Sequence, residues 1–166
     1  VLVPLACEVT NPCPRCVCAF FDAGVGAAHA TAIRADMDAL PIAEATGVDF
    51  ATTHPGKMHA CGHDMHATAL LGAARLLKAR EEELVEANAT VKLLFQPGEE
   101  TFEGARAAIA DGLLANPRPQ AAFAMHVNSQ SPLGLVLYGS PALSGVYGFR
   151  ITLQGKGGHG SSPEIC

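Results

Sequence analysis

Charge is scarce in this chain. Only 16% of its 166 residues are Asp, Glu, Lys or Arg, the formal net charge is −5, and no run of Lys or Arg occurs. Binding to nucleic acid or to an anionic membrane surface needs a basic patch that neutralises phosphates, so neither partner is expected. Long apolar runs are missing too, and no stretch approaches the roughly 20 residues of a membrane-spanning helix. The first residues lack the form of a secretory signal: they have no basic start, and Pro and Cys interrupt the apolar stretch. A cytoplasmic location is therefore the expectation. There is no internal repeat and no low-complexity tract.

What is present is apolar. Hydrophobic residues make up 49% of the chain, enough for a globular protein with a buried core and against a disordered one. Six cysteines are unevenly placed. Cys7, Cys13, Cys16 and Cys18 crowd the start, Cys61 lies inside a histidine cluster, and Cys166 is the last residue. The Cys13/Cys16 spacing suits a metal knuckle or a redox pair, but no second Cys/His pair stands at zinc-ribbon distance to complete such a site. Residues 1–27 are expected to form an atypical, Cys-rich and poorly structured segment, of a composition unlike the rest and open to question as native coding sequence. Asn88-Ala89-Thr90 matches a glycosylation sequon, a pattern that has meaning only in a secretory context.

From about Ala28 the pattern becomes orderly. Ala30 to Ala35 predicts a strand, residues 36–38 a polar turn, and Pro41 to Lys57 a loop rich in turn formers. Leu70, Leu71, Ala74, Leu77 and Leu84 recur at helical spacing and predict a helix from about Met65 to Glu83. Thr90 to Gln96 is a compact apolar strand stopped by Pro97, Glu103 to Leu114 a second helix, and Ala121 to Met125 a buried strand. Gly134 to Tyr138 suits a further strand, and Val146 to Gln154 alternates in a strand-like way before a glycine-rich turn. Alternating strands and helices predict an α/β fold, a mixed, largely parallel sheet flanked by helices.

The chemistry concentrates in Met58-His59-Ala60-Cys61-Gly62-His63-Asp64-Met65-His66, then in Gln96-Pro97-Gly98-Glu99-Glu100 and Met125-His126-Val127. A thiolate, imidazoles and carboxylates together are the parts of a catalytic metal site, since a structural zinc site closes itself with four Cys/His ligands. Each part also has an ordinary reading. Cys61 and His63 suit a buried cysteine beside surface histidines; Glu99 and Glu100 suit the acidic start of a helix; His126 suits a core or edge residue after a strand. Asp36 and Asp38 suit either turn capping or the orientation of a metal-bound imidazole. His159, between glycines, suits either an exposed turn or a donor to a developing oxyanion. Asp36, Cys61, Glu100 and His126 all fall just after predicted strands or at predicted helix starts, where open α/β sheets gather their ligands.

Taken in order, Arg34 to Pro41, Met58 to His66, Gln96 to Glu100, Met125 to Val127 and Gly155 to Gly160 resemble the amidohydrolase branch of the aminoacylase/carboxypeptidase metallopeptidase family. That branch includes hippurate hydrolases, N-acyl-amino-acid hydrolases and auxin-conjugate hydrolases. The resemblance runs from roughly Ala28 to Pro163. It implies two divalent metal ions, manganese or zinc, with Cys61 as a shared ligand, His63, Glu100 and His126 as further ligands, and Glu99 as general base. It implies a partial two-metal aminopeptidase-like catalytic domain over 28–145 and the start of a lid or dimerisation domain over 146–166. His159 would match a lid histidine that reaches the partner subunit's active site, in a homodimer or higher oligomer.

The expected activity is hydrolysis of the amide bond of an N-acyl amino acid by a metal-activated water. A dipeptidase or exopeptidase with the same machinery is the second expectation. The chain also departs from the family. It ends before the distal metal-ligand histidine and most of the lid, and residues 1 to about 21 do not match the usual beginning. An internal fragment or a faulty gene model of a larger enzyme is therefore expected, and a non-catalytic truncated remnant is the third expectation. A redox or zinc protein centred on Cys13 and Cys16 is the fourth.

Overall fold

The computed structural model describes residue 2 and residues 8–10, 16–21, 29–139 and 144–165. Cys7, Cys13 and Cys166 lie outside the described residues, and so does any Cys13/Cys16 pairing. The chain divides into two compact units, Val1–Ser129 and Gln130–Cys166.

The first unit is built on five strands: β1 (Glu8–Thr10), β2 (Val17–Phe21), β3 (Ala30–Asp36), β4 (Thr90–Gln96) and β5 (Ala121–Ala124), in the order β1-β2-β4-β3-β5. The pairings of β4 with β3 and of β3 with β5 are parallel, whereas β1 and β2 add an antiparallel edge. The sheet is thus mixed, with its parallel part confined to β4-β3-β5. Two strands come from the segment expected to be poorly structured. Val17 to Phe21 pairs with β4 along its whole length, and Cys16, Cys18, Ala19 and Phe21 are buried. Its unbroken apolar run, Val-Cys-Ala-Phe-Phe, suits a sheet covered on both faces, which turn residues nearby hid from a composition argument.

Helix α1 (His63–Ala79) connects β3 to β4, and α3 (Gly104–Ala110) follows β4. They cover opposite faces. Leu70 and Ala74 of α1 pack with Phe21, Ala35, Val91, Leu93 and Phe95, whereas Ala108 of α3 packs with Cys18, Ala32 and Leu94. The alternation of β4 explains this: Val91, Leu93 and Phe95 point one way and Leu94 the other. Lys92 also faces the α3 side. It is buried, with Nζ 3.4 and 3.3 Å from the carbonyl oxygens of Asn116 and Pro117.

The single helix expected over Met65 to Glu83 is two. It starts two residues earlier, at His63, and stops at Ala79, and α2 (Glu81–Glu86) begins after a non-helical Arg80. Glu81, Glu82 and Glu83 are favoured in a first turn, where the helix dipole is positive, and disfavoured near a helix end. The α3 helix is shorter than expected, because Gly112 adopts φ +90 beyond its end. Strand β5 was expected to be buried, yet all four of its residues are exposed. It is an edge strand with one neighbour, so its apolar side chains have no second layer among the described residues.

In the second unit, neither Gly134–Tyr138 nor Val146–Gln154 forms a strand. Tyr147, Phe149, Ile151 and Leu153 alternate along the chain but are all exposed. Alternation marks a chain able to pair, but the ladder itself needs a neighbouring strand, and the described residues of this unit offer none. No helix of the described residues is long and apolar enough to cross a membrane.

Candidate metal centre

The carboxyl ends of β3, β4 and β5 lie side by side, because the register pairs Asp36 with Gln96 and Arg34 with both Leu94 and Ala124. The chain leaving each strand carries the site: Asp36 and Asp38 after β3, Glu99 and Glu100 after β4, His126 after β5. The first turn of α1 supplies His63, with Cys61 just before it.

Two glycines shape these approaches. Gly62 begins α1 with φ 84, and a Cβ there would lie 2.5 Å from Cγ2 of Val127. Only glycine adopts that backbone at low cost and leaves that gap, so it turns Cys61 and His63 inward against the end of β5. Gly104 closes the 98–104 turn by donating its N–H to the Gly98 carbonyl at 3.0 Å, and a Cβ on it would overlap the Pro97 carbonyl. That turn presents Glu99 and Glu100. The Glu100 N–H donates to Oδ2 of Asp38 at 3.0 Å, which ties the β4 loop to the β3 loop.

Main-chain partners determine how each imidazole is protonated, since a carbonyl only accepts and an amide only donates. His63 donates Nδ1–H to the Asp38 carbonyl at 2.9 Å, so in the neutral ring Nε2 is the nitrogen that carries the lone pair. His126 donates Nδ1–H to the Val127 carbonyl at 2.6 Å and points Nε2 at the Cys61 sulfur, 3.4 Å away. Nε2 of His63 has no hydrogen-bond partner although it is buried. Around it stand Asp36 Oδ2 and Glu99 Oε2 at 3.7 Å and Glu100 Oε1 at 3.8 Å. Glu100 Oε1 and Asp38 Oδ1 are also buried without a hydrogen bond.

A buried lone pair facing carboxylate oxygens, with no hydrogen between them, is repulsive and costly. A cation placed among them turns the repulsion into coordination. Cys61 points the same way. Burial pushes its thiol pKa up, and the charges of Glu100, Glu99 and Asp36 and a hydrogen bond with Glu100 push it further. Only a nearby positive charge makes the thiolate favourable here. The donor set therefore fits divalent metal. Cys61, His63 and His126 form one group able to hold an ion, and His63, Glu99 and Glu100 form another sharing His63.

The carboxyls of Asp36 and Asp38 are held below the usual aspartate range. Burial raises the Asp36 pKa, but a hydrogen bond from His66 and the charge of Arg34 outweigh it. Burial also raises that of Asp38, against stronger lowering by main-chain hydrogen bonds at Glu100, Glu99 and Asp38.

Of the residues singled out from sequence, the structure brings Cys61, His63, Glu99, Glu100 and His126 together. His159 belongs to the second unit, where it is exposed and its Nδ1 accepts the Ser161 N–H at 3.3 Å. Sequence reasoning passed over the contact of His66 with Asp36 and Val127. Its three-residue spacing from His63 was the available signal, since it puts both rings on one helix face; the main chain of Val127 leaves no trace in a sequence.

A family model described as peptidase family M20/M25/M40 matches residues 32–140, a span that holds the five clustered residues and not His159. An IAA-amino acid hydrolase (ILR1-like 4) of Arabidopsis thaliana is 47% identical over 142 residues, 85% of this chain and 31% of that protein. An N-acetyl-L-cysteine deacetylase of Bacillus subtilis is 44% identical over 143 residues, 86% of this chain and 33% of that protein. A solved structure from Bacillus subtilis, a dinuclear metal binding peptidase of the M20 family, superposes with a TM-score of 0.70 at 38% identity, covering 80% of this chain and 36% of the other. The chain spans about a third of the length of the curated relatives it matches.

Proposed function

The chain belongs to peptidase family M20/M25/M40, and from that premise we propose that its activity is metal-dependent hydrolysis of the amide bond of an N-acyl amino acid. The observation that carries the reading is the lone pair of His63 Nε2, buried among three carboxylates with no hydrogen-bond partner. The relatives point to the bond: one is named for hydrolysis of an auxin–amino acid conjugate and another for deacetylation of an N-acetylated amino acid.

Cys61, His63, Glu100 and His126 would hold the ions, two in number by analogy with the dinuclear neighbour, and manganese or zinc by the family resemblance. Such ions supply Lewis acidity toward an amide carbonyl and toward water. Glu99 is the residue for proton transfer. It is the more exposed of the adjacent pair, at 37% against 24% for Glu100, so a substrate can approach it while Glu100 stays anchored through its main chain to Asp38. Its carboxylate would take a proton from the attacking water and return it to the leaving nitrogen. His159 enters as donor to the developing oxyanion; its Nδ1 is engaged by Ser161, which leaves the proton on Nε2 available.

The reading includes residues 146–166 as the start of a lid or dimerisation domain, a homodimer or larger assembly, and a cytoplasmic location.

The test is hydrolysis of N-acetyl and indole-3-acetyl amino acids by parent protein and Glu99→Gln, each loaded with Mn²⁺ or Zn²⁺. The variant should keep its metal and lose about 10²–10⁴-fold in kcat. Parent protein that binds metal but leaves every such amide intact would sink the proposal, and full activity in the variant would move the proton-transfer role elsewhere.

A further inference from the structure

We propose that His66 is a positioning residue of the metal centre: it holds the main chain at Val127 and so sets where the His126 imidazole stands. The inference rests on the metal-centre reading above. His66 is buried on α1, one turn beyond His63, and its ring lies edge-on to that of His126 with centroids 4.5 Å apart.

Both of its nitrogens are engaged. The Val127 N–H donates to Nε2 at 3.0 Å, which places the ring proton on Nδ1, and Nδ1 donates to Oδ1 of Asp36 at 2.6 Å. No lone pair of His66 is left for a cation, so despite its place beside Asp36 and His63 it is not a ligand. Asp36 is held from its other side: Arg34 donates to Oδ2 at 2.8 Å, and the Arg34 Nε donates to Oε1 of Gln96 at 2.9 Å. A continuous relay thus runs from the end of β4 through the end of β3 and across α1 to the chain leaving β5.

Its last member is the point of control. Val127 follows His126 and accepts the Nδ1–H of His126 on its carbonyl at 2.6 Å, while giving its N–H to His66. One residue's main chain therefore grips both rings. Among the described residues β5 has a single neighbouring strand, and His66 ties the chain beyond it to α1. A ligand on such a segment keeps its geometry only if its support is rigid, and loss of supporting hydrogen bonds around metal ligands costs roughly 10–100-fold in affinity.

Two substitutions separate the two bonds of His66. His66→Gln keeps an acceptor where Nε2 stands and loses the donor to Asp36. His66→Asn keeps a donor where Nδ1 stands and loses the acceptor for Val127. Titration of the 166-residue chain with Co²⁺, followed by the thiolate-to-cobalt absorption band, reads affinity and Cys61 ligation without any turnover. His66→Asn should weaken Co²⁺ binding by about 10–100-fold, and His66→Gln should restore most of it. Equal binding by His66→Asn and the parent, or equal losses in both variants, overturns the positioning role. A parent that takes up no Co²⁺ overturns the metal-centre reading itself, a distinct result. If neither variant folds, ¹⁵N spectra of the parent decide: His66 should stay protonated at Nδ1 before and after metal addition, and a metal-induced shift of its Nε2 to a ligated position refutes the inference.

Discussion

The sulfur of Cys61 and Nε2 of His126 stand 3.4 Å apart although 65 residues separate them along the chain. One comes from the loop before α1 and the other from the chain after β5, and only the parallel pairing of β3 with β5 brings these ends together. Thiolate and imidazole at that distance can share an ion. The thiol itself resists ionisation, because burial and the neighbouring carboxylates push its pKa up. Metal uptake must therefore expel a proton and strengthen as pH rises.

Cys61→Ser tests both statements. The variant should retain less metal after dialysis, by about tenfold or more, in line with losses seen even for supporting residues. Its uptake should also depend less on pH than the parent's. Metal analysis across pH 6 to 9 checks this, and an unchanged metal content would remove Cys61 from the ligand set.

Gly62→Ala concerns the backbone. The φ of 84 costs an alanine about 1–2 kcal/mol, and its Cβ would meet Val127 Cγ2 at 2.5 Å. The variant should unfold at lower denaturant and bind metal less tightly, because the strain falls between Cys61 and His63. Adding Val127→Ala removes the clash but not the backbone cost, so the double variant should recover part of the loss. Strict additivity of the two substitutions would show that the side-chain overlap does not matter.

Asp36 predicts the acid limb of stability. Its folded pKa lies below the ordinary value of about 3.9. Between those two values the unfolded chain binds more protons than the folded one, so stability rises with pH across that window. The contribution is complete above about pH 4 and is lost as pH falls through the lowered folded value. In metal-free protein, Asp36→Asn should flatten the fall of the urea midpoint on the acid side. An equally steep fall in the variant would assign the acid limb to other carboxyls.

Much of this was legible beforehand. Thr90 to Gln96 is a strand with the bounds expected from its apolar run and the proline after it, and β3 falls where Ala30 to Ala35 predicted. The donor types of Cys61, His63, Glu99, Glu100 and His126 were readable because ligand types are a property of side chains, and the structure gathers these five side chains together. The N-terminal segment misled because composition weighs residues singly, whereas Val17 to Phe21 is ordered by a partner strand 70 to 78 positions away. β5 misled in the opposite sense: Ala121 to Ala124 is as apolar as a buried strand, but burial depends on what lies over it.

The sequence by itself determined which elements form and which chemical groups they carry, since periodicity, turn residues and donor atoms are local properties. Tertiary structure alone decided that three strand ends open on one edge, which nitrogen of each histidine keeps its lone pair, and that Val127 lends its main chain to two imidazoles. Those facts depend on main-chain groups brought together across tens of residues, and every residue except proline carries the same main-chain N–H and C=O, so no pattern of side chains can announce them.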